Sequence, residues 1–195
     1  MLIKQGESRI FVSSMEKIIK MLEAGRLLLA PTDTIWGILC DATNPQAVEQ
    51  VYALKKRPDS KAMVCMVSDI EMLKKHLDDL PQKLDQYINN HRPTTVIYNC
   101  PKGIAHNAIA QENTVAIRIV NHHFCTPLIQ VFGKPLISTS ANISGAPHPQ
   151  KFSDIDVEIL NGVDHIVAMD QEKTNGQPSR IIKIEPTGEI TILRD

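Results

Sequence analysis

Short apolar runs alternate with amphipathic stretches along the chain, and this alternation limits the folds open to it. "RLLLA" (26–30), "AMVCMV" (62–67), "TTVIYN" (94–99), "TVAIRIV" (114–120), "PLIST" (135–139) and "HIVAM" (165–169) have the length and apolar content of strands. Helical patterns separate them. Met15, Ile18, Ile19 and Leu22 share one face, after a capping box at Ser13 and Glu16 and before a stop at Gly25. Asn44 and Pro45 open a second helix, with Val48, Val51 and Tyr52 inward and Pro58 closing it. Ser68 and Glu71 repeat the capping box ahead of Ile70, Leu73, Leu77 and Leu80, and Pro81 starts a helix with Leu84, Tyr87 and Ile88 inward. "CTPLIQVFG" (125–133) and "SDIDVEILNG" (153–162, Ser153 at its start) complete the set, and "RIIKIEPTGEITILR" (180–194) reads as a hairpin. Interleaved helices and strands predict one α/β domain over 1–195, built on a mixed sheet with antiparallel pairs.

Composition narrows the partners. Of the 195 residues 43% are hydrophobic and 22% charged, enough to bury a core, and the net charge is −1. A general affinity for nucleic acid or anionic membrane needs a basic balance, so any polyanion site is local. No signal peptide and no membrane span is expected, nor any membrane partner. Cys40, Cys65, Cys100 and Cys125 have no metal or disulfide spacing, and they read as buried or half-buried thiols in a reducing cytosol, hence a cytoplasmic protein.

Four polar stretches stand where predicted strands end, the place where open α/β sheets hold ligands. "PTDTIWG" (31–37) offers Thr32, Asp33 and Thr34, or is a plain turn. "LKKRPDSK" (54–61) gathers Lys55, Lys56, Arg57 and Lys61. It is either a solvated helix C-terminus or, if the exit is extended, a place where Lys55 and Arg57 face one way toward a polyphosphate. "PLISTSANISG" (135–145) runs a strand into Ser138, Thr139, Ser140 and Asn142, which bind phosphate oxygens or an adenine edge, or cap a short helix. Ser179 and Arg194 flank the terminal hairpin, and Arg118 sits between Ile117 and Ile119. A strand arginine of this kind meets a carboxylate with its fork, or lies on a solvent face. No phosphate loop, dinucleotide fingerprint or nucleophile elbow is present, so Ser140 is a poor candidate nucleophile. His122 and His123 are adjacent, cannot face one way on a strand, and read as non-ligands.

Together these stretches resemble the YrdC-type threonylcarbamoyl-AMP synthases, over about residues 10–194. "PTDTIWG", "KKRP", "VAIR", "STSANISG", "PSRIIKI" and "ILR" match that family's motifs in order. Departures include Ile38 and Leu39 after Trp36-Gly37, Arg180 where threonine is common, and Met66 where some members place a threonine-contacting histidine.

The resemblance implies an open, twisted α/β sheet with a concave positive cleft. It implies a nucleotidyltransferase that joins L-threonine, bicarbonate and ATP into threonylcarbamoyl-AMP and pyrophosphate. A partner protein complex then carries threonylcarbamoyl to adenosine 37 of tRNAs that read ANN codons. On this resemblance Lys55, Arg57, Lys61, Thr114, Ser140, Asn142 and Arg194 hold ATP. Thr34, Arg118 and Ser179 hold threonine, with no protein nucleophile and with Mg²⁺ carried on the ATP phosphates. The alternatives are an RNA-binding or ribosome-associated module using the same cleft, and carbamoyl transfer to another acceptor.

Overall fold

In this computed structural model, residues 5–57, 63–78, 80–81, 84–88, 92–174, 176–185 and 187–195 are described, with 5–13 as backbone alone. The elements in chain order are α1 (Gln5–Glu23), β1 (Leu28–Ala30), β2 (Gly37–Asp41), α2 (Pro45–Lys55), β3 (Val64–Val67), α3 (Ile70–Lys75), α4 (Asp85–Ile88) and β4 (Thr94–Asn99). They continue with β5 (Thr114–Ile119), α5 (Cys125–Phe132), β6 (Leu136–Ser140), α6 (Val157–Gly162), β7 (His165–Ile166), β8 (Arg180–Ile184) and β9 (Ile190–Arg194).

The strands form one open mixed sheet in the order β7-β1-β2-β6-β3-β5-β4-β8-β9. Pairs β1/β7, β3/β5 and β4/β8 are parallel and the other pairs antiparallel. The expected α/β fold with flanking helices is therefore the fold found. Cys65, Val96, Val115, Ile117 and Ile137 join the buried core, and alternate positions on the same strands face the other way.

Sequence reading found most elements but misplaced several ends. β2 went unread because all five of its residues are buried, so it has no alternation to see. α1 begins at Gln5, which puts Ser13 inside the helix rather than at its cap. Asp69, not Ser68, caps α3: its carboxylate accepts from Met72 N, and Ser68 Oγ donates to Asp69. α3 ends at Lys75, short of Leu77 and Leu80. Asp156, not Ser153, caps α6. In both corrected caps the carboxylate, an ionised acceptor, takes the place assigned to a hydroxyl.

The exit from α2 differs most. Asn44 caps its start, with Pro45 in the first turn, as expected. Its end turns through Lys56 at φ 50, with Lys56 N donating to Ala53 O and Arg57 N to Tyr52 O. Two such bonds around a left-handed residue end the helix as a Schellman turn, not the extended exit in which Lys55 and Arg57 would face one way as i and i+2. Pro58 lies outside the described residues.

Candidate functional site

Strand alternation lays down the floor of a cleft. Thr95 and Ile97 of β4, Ala116 and Arg118 of β5, and Ser138 and Ser140 of β6 are i, i+2 pairs on one face. Register lines them up: Val64 lies opposite both Ser138 and Ala116, Ala116 opposite Ile97, Thr95 opposite Ile181, and Ile181 opposite Arg194. A cavity of about 360 Å³ stands over this floor, walled by Thr34, Trp36, Arg57, His148 and Ser179. Gly37 of β2 also lines it, and a Cβ there would lie 3.1 Å from Ser138 Oγ and 3.3 Å from Thr139 O. Glycine is what lets the two strands approach at this corner.

The lining is cationic and rich in hydroxyls. Arg57, Arg118 and Arg194 contribute guanidinium groups, and among the described residues that line the cleft none is a carboxylate. Such a surface takes anions. Arg194 is held by its own hairpin: Nε and Nη2 donate to Ser179 O at 3.0 and 2.7 Å. Ser179 Oγ and Thr95 Oγ1 are 2.7 Å apart and share a hydrogen bond. Thr32 Oγ1 donates to Ile35 O at 2.7 Å, so the 3.1 Å contact with Thr34 Oγ1 is donated by Thr34. The Thr34 hydroxyl then keeps its lone pairs as acceptors.

Arg118 is the most buried of the three. Its side chain is 5% exposed, and its Nη2 lies 3.1 Å from Asp33 Oδ1, whose own side chain is 7% exposed. Nη2 also reaches Met66 Sδ at 3.5 Å, since Met66 is its cross-strand neighbour on β3. Nε finds no hydrogen-bond partner among the described residues.

Lys55 does not line the cleft but fastens the loop after β6. Its Nζ donates to Ser140 O at 2.5 Å, Asn142 O at 2.6 Å and Asn142 Oδ1 at 3.4 Å. Ser144 N donates back to Lys55 O at 2.8 Å, so the end of α2 and the loop after β6 are tied as one piece. Burial, then Arg57, lowers the Lys55 ammonium to about 8. Lys56 points away and pairs with Glu158 at 2.8 Å.

The sequence matches the family Sua5_yciO_yrdC, described as telomere recombination, over residues 20–195. The chain belongs to the Sua5/YciO/YrdC family. It is 28% identical over 176 residues to a threonylcarbamoyl-AMP synthase of Vibrio campbellii, covering 87% of this chain and 94% of that protein. It is 36% identical over 141 residues to the enzyme of the same name from Pseudoalteromonas translucida, covering 68% of this chain and 73% of that protein. Among solved structures it resembles YciO of E. coli, with a TM-score of 0.79 at 19% identity over 94% of this chain and 89% of that one. It also resembles P. abyssi Sua5 complexed with L-threonine (TM-score 0.80, 21% identity, 92% of this chain). Full-length HypF in a phosphate- and nucleotide-bound form gives a TM-score of 0.79 at 20% identity, again over 92% of this chain. The chain spans 53% of that Sua5 chain and 28% of that HypF chain.

Against the family's motifs, the fold brings Thr34, Arg57, Arg118, Ser140, Ser179 and Arg194 to one cleft. Thr114 is on the same face of β5, one step beyond Ala116 and outside the lining. Asn142 lines a neighbouring cavity of about 410 Å³, and its Nδ2 donates to Ile143 O and Ala146 O. Lys55 serves protein oxygens, and Lys61 lies outside the described residues. Sequence reasoning missed Thr95, which is fully buried, and His148, which lines both cavities. A polar residue inside the β pattern of "TTVIYN" was the available signal for Thr95; none pointed to His148.

The two adjacent histidines correct another expectation. They follow β5 in a loop rather than a strand, and both turn Nε2 toward Asp170 Oδ2, at 3.9 Å for His122 and 3.5 Å for His123. With Asp170 they are close enough together to suit a metal. However, Phe124 N and Cys125 N both donate to His122 Nδ1, so in the neutral ring the proton sits on Nε2. Lys173 Nζ occupies Asp170 Oδ1 at 2.7 Å. Asp170 is tied to Lys173 and His123 Nε2 contacts Met169 Sδ at 3.1 Å, and burial, then His123, lowers the His122 imidazole.

Proposed function

We propose that this chain condenses L-threonine, bicarbonate and ATP into threonylcarbamoyl-AMP and pyrophosphate. A partner protein complex would then transfer threonylcarbamoyl to adenosine 37 of tRNAs that read ANN codons. The observation that carries the reading is a cleft with no carboxylate among the described residues that line it. It is lined by a buried arginine whose Nε has no hydrogen-bond partner among the described residues, by hydroxyl side chains and by two further arginines. The curated names of the relatives, the threonine complex of Sua5 and the nucleotide-bound HypF support it.

In this reading the Arg118 fork takes the threonine carboxylate. The Thr34 lone pairs accept from the substrate hydroxyl or amine, and Ser179 closes the site beside Thr95. The ammonium of bound threonine first gives a proton to water. The neutral amine then attacks the carbon of bicarbonate, releasing water, or of carbon dioxide, releasing a further proton to water, and the N–C bond forms. A carbamate oxygen then attacks the α-phosphorus, and the bond to the pyrophosphate oxygen breaks. The step needs charge stabilisation rather than a protein nucleophile. Arg57 and Arg194 supply it, and Ser140 adds a hydroxyl. Lys55 acts by fixing the loop that carries Ser140 and Asn142. With no carboxylate in the described lining, Mg²⁺ enters on the nucleotide's phosphates and water.

Purified protein with threonine, bicarbonate and Mg-ATP should release pyrophosphate only when all three are present. Release that is equal without threonine would remove the reading.

A further inference from the structure

Arg118 and Asp33 form an unusual pair. Both side chains are nearly sealed from solvent, and the charged atoms stand 3.1 Å apart. Yet Asp33 Oδ1 and Arg118 Nε both lack a hydrogen-bond partner among the described residues. Asp33 therefore supplies a counter-charge without consuming the guanidinium's donors. Removing one partner of such a pair strands a buried charge, so each depends on the other.

The two residues also face different spaces. Arg118 lines the cleft. Asp33 lines a separate cavity of about 260 Å³ behind it, while Thr34 and Trp36 line both. Asp33 thus reaches a cleft ligand through its field and through Arg118 rather than by contact.

We infer that Asp33 is a positioning residue for specificity: it makes the Arg118 end of the cleft select a zwitterionic amino acid over a simple carboxylate. The inference rests on the threonine reading above and deepens it. An arginine alone at this place would welcome any carboxylate. With Asp33 behind it, the pair is locally neutral, and a bare carboxylate adds an uncompensated negative charge to a buried place. An ammonium on the same ligand cancels that charge. An electrostatic gap of this kind across a few ångströms of protein amounts to about tenfold in affinity.

The test is calorimetric binding of threonine and of 3-hydroxybutyrate, which is threonine without its amine, to the native protein, Asp33→Asn and Asp33→Glu. The native protein should prefer threonine. Asp33→Asn should shift the threonine-to-hydroxybutyrate ratio about tenfold toward the hydroxy acid. Asp33→Glu, which keeps the charge, should retain the native ratio. Loss of side-chain order alone would weaken both ligands together and leave the ratio in place. Threonine binding with an unmoved ratio in Asp33→Asn would overturn the role of Asp33 and leave the threonine reading standing. No threonine binding to the native protein would overturn that reading, and this inference with it. Should Asp33→Asn fail to fold, the native protein and Asp33→Glu still decide. Equal affinity of the native protein for the two ligands, or a changed ratio in Asp33→Glu, overturns the proposal.

Discussion

Lys55 Nζ stands 2.6 Å from the carbonyl oxygen of Asn142, a contact between the last residue of α2 and the loop after β6. The ammonium is buried, and its hydrogen bonds go to protein oxygens of Ser140 and Asn142. A cation that reads in sequence as a phosphate ligand is here the fastener of the segment beside the cleft.

Replacing Lys55 with alanine should therefore lower stability as well as activity. Charged hydrogen bonds contribute about 1.5–3 kcal/mol each, so a loss of roughly 3 kcal/mol is expected. Chemical denaturation measures it, and pyrophosphate release should fall at least about tenfold. Lys56→Ala breaks only the exposed pair with Glu158 and should change both by little. Equal losses at the two positions would argue against the fastener.

Arg118→Lys keeps a charge near Asp33 but loses the planar fork. Threonine dependence of pyrophosphate release should weaken by roughly ten- to a hundredfold, the equivalent of one charged hydrogen bond. Calorimetric ATP binding without threonine should stay near the native value. A loss confined to ATP would move Arg118 out of the threonine end.

Gly37→Ala tests the corner of the cleft floor. The new Cβ meets Ser138 Oγ at 3.1 Å and the Thr139 backbone oxygen at 3.3 Å, and the backbone contact cannot rotate away. Overpacking of this kind costs about 1–3 kcal/mol. A lowered denaturation midpoint with an unchanged slope is the expected result.

Burial pushes the Cys65 and Cys125 thiols up to about 12, the latter helped by Asp33, and Cys40 is also raised. Unfolded thiols ionise near 8.5, so above that pH the unfolded chain releases protons that the folded chain keeps. Stability from these groups is full below about pH 8.5 and is lost as pH rises toward the folded values. Melting temperature should fall between about pH 9 and 11, less steeply in Cys65→Ala relative to its own neutral-pH value. Thiol reagents at neutral pH should label the exposed Cys100 first.

The pattern of residues revealed the strands that have one polar and one apolar face, and hence the α/β class. It concealed β2, whose five residues are all buried. Thr34, Arg118 and Ser179 were legible as polar groups at strand ends or inside strands, places where an apolar core has no use for them. The partners of Lys55 were not legible, because carbonyl oxygens belong to every residue and only tertiary folding decides which ones a lysine meets. The Asp33–Arg118 pairing was hidden for the same reason, since the two residues come from a loop and a strand far apart in the chain.

The strand order has a kinetic side. β1 pairs with β7 and β2 with β6, so the first strands made have a neighbour far along the chain. Long-range pairings close large loops before any contact repays them, which slows folding. The cleft needs residues from β2 through β9, and Arg194 stands on the last strand. During synthesis, the buried strand β2 waits, with its edge toward β6 unpaired, until about half of the chain has followed it. That waiting edge is open to wrong partners, and a chaperone's protection would matter there.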